Sequence, residues 1–339
     1  MNAHRTHVED SFNRISKFNK TMVLPDSKDR TLWAGLPKDM RIALIEKGEA
    51  LLGEEYPMLL LSDYTEFSKS GNREHFEAKY FARRRMLTNL VIAECVEDKG
   101  RFLEKILDGL YLILEETTWC LPAHNTYVRD VEQFVIPDED RPIIDLFAAE
   151  TAQIVGLTEY MLRDRIMEKS RFINSYVDRE IEKRILKPYL NYHFWWMGDG
   201  EQSVCNWTPW ITQNVLLALF TRRDDTFDRL ELKNALKQAT RSMDYFMDDY
   251  GEDGCCNEGA QYYSHAGLCL FGCIDVLNRI MENELEFLYR DPLIKNIAAY
   301  IMRMYVGNGY YINYADCSPF SGKRTARDFL FGKYTENEG

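Results

Sequence analysis

Hydrophobic positions recur at helical spacing along nearly the whole chain. Leu103, Ile106, Leu107, Leu110, Ile113 and Leu114 share one face, and Ile143, Phe147, Ile154, Leu157 and Met161 share another. A second helix from Asn174 to Lys187 follows and is expected to stop at Pro188, because the residue before a proline avoids the α region. Leu232, Leu236, Ala239, Met243 and Phe246 repeat at spacings of 4, 3, 4 and 3. Ile294, Ile297, Ile301 and Met304 do likewise. With segments near 39–52, 74–96, 206–220 and 262–281, the pattern predicts about ten helices joined by short loops.

Successive helices of roughly 15 to 25 residues with almost no strand pattern predict an all-α domain of antiparallel hairpins. No fixed sequence period runs through them, which disfavours a solenoid. The expected architecture is an incomplete α/α toroid over residues 36–308, preceded by an N-terminal extension over 1–35. The pattern changes near residue 308. GNGYYINYADCSPF alternates apolar and polar residues like a strand with a turn, and a charged tail follows to 339. A strand without partner strands either lies across the helices or begins a β domain.

The chain has 339 residues, 45% of them hydrophobic and 13% aromatic, enough for a substantial core. No apolar run is long enough to span a bilayer, and no membrane partner is expected. The polar N-terminus lacks the apolar segment of a signal peptide, which predicts a cytoplasmic protein, or a periplasmic or secreted one if a leader has been removed. A net charge of −12 argues against nucleic acid, where binding rests on neutralising phosphates. It leaves room for an acidic sugar met by a local basic cluster such as Arg83, Arg84 and Arg85, which otherwise form a solvated helix face with one buried guanidinium. None of the eight cysteines forms a Cys-x2-Cys pair, so neither a metal nor another cofactor is expected.

Two segments carry candidate chemistry. In NWTPWITQNVLLALF, Thr208 followed by Pro209 predicts a helix start, with Asn206 and Trp207 in the loop entering it. In EDGCCNEGAQYYSHAG, residues 252–267, Asn257 is the expected cap, Glu258 lies in the first turn and Tyr262 one turn later. In an antiparallel array such entrances gather on one rim. A phenol there feels the positive end of the helix dipole, an effect of about 0.3–1 kcal/mol. Plainer roles stand beside these: Asn206 as a capping residue, Tyr262 and Tyr263 as core aromatics, Glu258 as a first-turn carboxylate and His265 as a satisfied helix histidine. The cluster YHFWWMGDGEQ, with Trp196 in it, reads as core or as a sugar-stacking platform.

CNWTPWITQN, DYGEDGCCNEGAQYYSHAG and GYYINYADCS, supported by ETTWCLPAH and IDLFAAETA, resemble the heparinase II/III-like polysaccharide lyases. The most specific part is the block DG-x3-EG-x2-YY. The resemblance implies an α/α toroid followed by β domains, and an acidic polysaccharide as partner. It also implies β-elimination next to a uronic acid carboxylate. On that likeness Asn206 grips the carboxylate and Tyr262 is the acid and also a candidate base. His124, Trp207, Glu258, Tyr263, His265, Arg84 and Trp196 complete the candidate cleft. The chain departs from many such enzymes in carrying Trp207 where a histidine follows the asparagine. Two other classes remain open. One is a toroid glycosidase using carboxylates among Asp199, Asp253 and Glu258 about 6.5–9.5 Å apart. The other is a non-catalytic glycan-binding protein.

Overall fold

In a computed structural model the chain is mostly helical, with one small hairpin, and the all-α expectation holds. The structure describes residues 7–15 and 17–337. No helix among them is long and apolar enough to cross a membrane. The chain forms two compact units. Residues 23–192 and 217–228 make one, and residues 1–22, 193–216 and 229–339 the other.

The unit of residues 23–192 and 217–228 carries α2 (Arg30–Gly35), α3 (Lys38–Leu51), α4 (Leu61–Ser70), α5 (Glu74–Glu97), α6 (Leu103–Leu114), α7 (Leu146–Lys169), α8 (Arg171–Ile181) and α9 (Lys187–Asn191). The stripe predicted on α6 is buried at Leu103, Ile106, Leu110, Ile113 and Leu114. Helices α5 and α7 run parallel. Near their starts the Tyr80 hydroxyl lies 3.0 Å from the Phe147 carbonyl and 2.7 Å from Thr151 Oγ1. Near their ends Arg165 pairs with Glu94 at 3.3 Å. The helix expected to stop at Pro188 does not. A π-helical turn over Glu182–Leu186 carries α8 into α9 through Pro188, its wider i→i+5 bonding, as in Lys187 N–H to the Glu182 carbonyl, making the local adjustment before a residue that cannot donate.

The other unit carries α1 (His7–Arg14), α11 (Arg229–Asp249), α12 (Gly267–Ile280), α13 (Pro292–Arg303) and α14 (Ala326–Tyr334). Helix α10 (Trp207–Phe220) begins here, and the boundary between the units falls inside it. The α11 stripe Leu232, Leu236, Ala239, Met243 and Phe246 is buried as its spacing requires. The residues expected to be an N-terminal extension are partly integral: Asp244 of α11 accepts from the Val8 and Glu9 amides, and Val8 and Phe12 are buried.

The strand expected near 308–316 is a hairpin, β1 (Tyr305–Gly307) paired antiparallel with β2 (Tyr310–Tyr311). The segment read as a charged tail contains α14. Thr325 and Asp328 form its capping box, and Phe331 stacks on Phe271 of α12 at 4.7 Å. One apolar face, not net polarity, decides that this segment folds.

Candidate functional site

Helix α10 starts two residues earlier than the Thr-Pro signal places it. Trp207 is its first residue, and the Trp210 amide donates to the Asn206 carbonyl at 3.2 Å. The Thr208 hydroxyl does not cap; it donates to the Trp196 carbonyl at 2.6 Å. Pro209 is therefore the third helical residue. This is tolerated because the first four amides of a helix have no intrahelical acceptor. Asn206 takes the position before the helix and is only 5% exposed. Its side-chain amide makes no hydrogen bond among the described residues, and its polar atoms are not sealed from solvent.

The segment 252–267 does not enter a helix at Asn257. It runs through turns to a single 3-10 turn, Tyr262–Ser264, and α12 begins only at Gly267. The two glycines of the DG-x3-EG block explain the path. Gly254 has φ +74° and Gly259 φ +86°. A Cβ on Gly254 would strike the backbone of Asn296 and Ile297, and one on Gly259 the Tyr314 carbonyl. The motif holds the loop against α13 and the 314–317 turn. Glu258 is therefore not a first-turn helix residue. It is half-buried, and burial, then the neighbouring Asp316 carboxylate, hold its carboxyl above the ordinary range.

Tyr262 is half-buried with its ring 6.0 Å from that of His265. His265 in turn stacks on Trp210 at 4.0 Å and 24°, and burial lowers its pKa from the usual imidazole value. Trp210 lies one helical turn along α10 from Asn206. Trp207 packs on Trp195 with ring centroids 5.0 Å apart. Asn206, Trp207, Tyr262 and His265 thus belong to one run of contacts, with Trp195 and Trp210 as members that the sequence reading did not single out. The i, i+3 spacing of Trp207 and Trp210 at a helix start was the available signal.

Two expected substrate contacts are core residues instead. Trp196 is 1% exposed and stacks on Phe194, and Tyr263 is fully buried against Tyr300. In each tandem pair one ring turns inward and its neighbour outward: Trp195 is partly exposed beside Trp196, and Tyr262 beside Tyr263. The Tyr263 hydroxyl has no partner among the described residues, and burial pushes its pKa well above the usual phenol value. Asp199 is an exposed turn residue, held low by the Glu201 and Gln202 amides it accepts from. Asp253 likewise accepts from the Cys255 amide at 3.0 Å.

His124 and Arg84 belong to the unit of residues 23–192 and 217–228. His124 ends a 3-10 turn, Pro122–His124, with Nδ1 2.7 Å from the buried Asp145 carboxylate and its ring parallel to Phe147. Arg84 is buried and spent. Nη1 and Nη2 donate to the two oxygens of Glu116 at 2.9 and 2.5 Å, and Nε donates to Thr151 at 2.9 Å. Arg83 joins it on Glu116 at 3.1 Å, so two guanidiniums are buried where one was expected, and Arg85 alone is exposed. A cavity of about 680 Å³ between α5 and α7 is lined by Arg84 together with Phe81, Phe147, Glu150 and Leu157. Burial raises the Glu150 pKa, and that carboxyl has no ion pair among the described residues, which makes the cavity a poor seat for an acidic sugar. Among the described residues no group of three or more His, Cys, Asp or Glu side chains is placed to hold a metal ion. No family model matches the chain, and no curated protein sequence matches it.

Proposed function

We propose that the chain is a polysaccharide lyase, or the helical part of one, of the heparinase II/III-like kind, with an α/α toroid that cleaves a uronate-containing glycan by β-elimination. The observation that carries this reading is Asn206. The residue is 5% exposed and directly precedes α10. Its side-chain amide has no protein hydrogen-bond partner among the described residues and keeps access to solvent, and Trp207, Trp210, His265 and Tyr262 in the same run of contacts are partly exposed. A polar group in a nearly buried residue that the protein leaves unbonded, with only solvent to meet it, is a place for a ligand atom.

The C5 proton of a uronic acid is weakly acidic because its removal puts charge onto the adjacent carboxylate. An amide N–H donating to that carboxylate stabilises the developing dianion without a tight ground-state ion pair. The base takes the C5 proton, the electron pair forms the C4–C5 double bond, and the C4–O bond breaks with protonation of the departing oxygen. Where the C5 hydrogen and O4 lie on one face of the ring, a single residue reaches both. Tyr262 is assigned that role, as base and then as acid. The indoles offer the apolar faces on which sugar rings stack.

One observation favours hydrolysis as a second reading: Glu258, raised by burial and by Asp316, has the character of a general acid. Ultraviolet absorbance of the product separates the two, since only elimination creates a conjugated double bond. The test is a panel of acidic polysaccharides with the chain as it stands, alongside Tyr262→Phe and Asn206→Ala. An absorbance rise that falls at least about 10²-fold in both variants is expected. A rise that survives both removes these residues from the chemistry. New reducing ends without absorbance point to hydrolysis, and saturable binding without either product points to a glycan-binding protein.

A further inference from the structure

The N-terminus of α7 and the turn before it share one carboxylate. Asp145 is the residue preceding α7, is fully buried, and its Oδ1 accepts from the Ala148 amide at 2.7 Å. Its Oδ2 accepts from the Leu121 amide at 3.3 Å and lies 2.7 Å from His124 Nδ1. The His124 ring is further held by a parallel stack on Phe147, 8° from coplanar with centroids 6.1 Å apart. Its side chain keeps 13% of its surface exposed. The ring is therefore fixed in plane by a carboxylate and across its face by an aromatic ring.

We infer that Asp145 is a positioning residue that sets the tautomer of His124, with Nδ1–H donating to Asp145 Oδ2 and the lone pair carried by Nε2. A carboxylate is acceptor-only, and both backbone amides that reach this one already use it so. A contact of 2.7 Å between Nδ1 and such an oxygen requires a proton on the nitrogen. Cys120 and Tyr64, beside the same carboxylate, are both pushed up by burial and by Asp145, so neither supplies a competing negative charge. An imidazole oriented in this way by a buried carboxylate presents Nε2 as a general base. The tautomer follows from the geometry of Asp145 and His124 and does not rest on the lyase reading.

The perturbation is Asp145→Asn. The amide oxygen retains the cap on Ala148, while its NH2 comes to face Nδ1 and the Leu121 amide. Nδ1 must then accept, and the proton moves to Nε2. Long-range ¹⁵N–¹H spectra of the histidine-labelled chain report the tautomer directly, with His124 identified among the six histidines by its loss in His124→Gln. The expected wild-type signature of the neutral ring is a protonated Nδ1 and an unprotonated Nε2, and Asp145→Asn exchanges the two. A wild-type ring protonated at Nε2, or a tautomer indifferent to Asp145→Asn, overturns the inference. The wild-type spectrum decides alone should the variant not fold. Because the spectra need no substrate, an exchanged tautomer in a chain that eliminates no glycan upholds the assignment and removes the lyase reading instead.

Discussion

Glu116 offers the sharpest test of what the buried arginines do. Its carboxylate receives Arg84 through both oxygens and Arg83 through Oε1, and the three side chains are 4–7% exposed. Glu116→Gln keeps the shape and one carbonyl acceptor but removes the carboxylate that pairs with both desolvated guanidiniums. Hydrogen bonds to charged groups contribute about 1.5–3 kcal/mol each. Breaking a buried pair by neutralising one partner costs roughly 3–5 kcal/mol, because the charge left behind is uncompensated. Arg83 Nε still has the Pro57 carbonyl at 2.7 Å, and Arg84 still has Thr151 and the Tyr80 carbonyl, so the lower end of that range applies, about 3 kcal/mol. The assay is amide exchange of α5 in urea, which reports the unit that holds these residues. The apolar triple replacement Arg83→Met, Arg84→Met, Glu116→Leu should recover much of the loss. A cost below about 1 kcal/mol for Glu116→Gln refutes the reasoning, since surface-like screening would then be at work. It would return Arg84 to the pool of cations available to a ligand.

Three further outcomes are expected. His265 has a depressed pKa in the folded state, so the unfolded chain binds more protons just below the ordinary value of about 6.5. Its contribution is present above that value and lost as pH falls through it. Urea midpoints at pH 7 and 5 should show this slope in the wild type and a shallower one in His265→Gln; identical slopes count against the burial of a neutral ring. Glu258 is shifted the other way, so the fold favours its protonated form and pays for the charge at neutral pH. Glu258→Gln should therefore raise the thermal midpoint at pH 7, with the gain shrinking as pH drops below the folded value, and a loss at pH 7 contradicts it. Phe331→Ala should cost about 3–5 kcal/mol through the cavity beside Phe271, measured by denaturant unfolding, whereas a near-neutral result would show α14 to be a dispensable tail.

Helix existence and type were legible in the chain because a 3.6-residue stripe of Leu, Ile and Met has no other way to be buried at once. The stripes of α6, α11 and α13 lie in the core where their spacing puts them. The glycine-bracketed block around Glu258 was also legible as a special segment. What spacing does not contain is direction. Trp195 and Trp196, or Tyr262 and Tyr263, are equivalent in composition, and only packing against Phe194 and Tyr300 decides which of each pair is core. Asp145 gave no signal, since a carboxylate before a helix is an ordinary cap until a histidine 21 residues earlier in the chain is found against its second oxygen. Helix starts shifted for the same reason: the Trp196 carbonyl took the hydroxyl of Thr208, and Gly259 and Gly267 fit where Tyr314 and Tyr263 approach. Local periodicity marked the buried face on α6, α11 and α13 but not on α7, where Phe147, Ile154, Leu157 and Met161 line a cavity and the face of Ala148, Ala152, Val155 and Leu162 is buried instead. Which polar atoms meet, and which are left open as Asn206 is, depends on contacts between distant segments that exist only once the chain has folded.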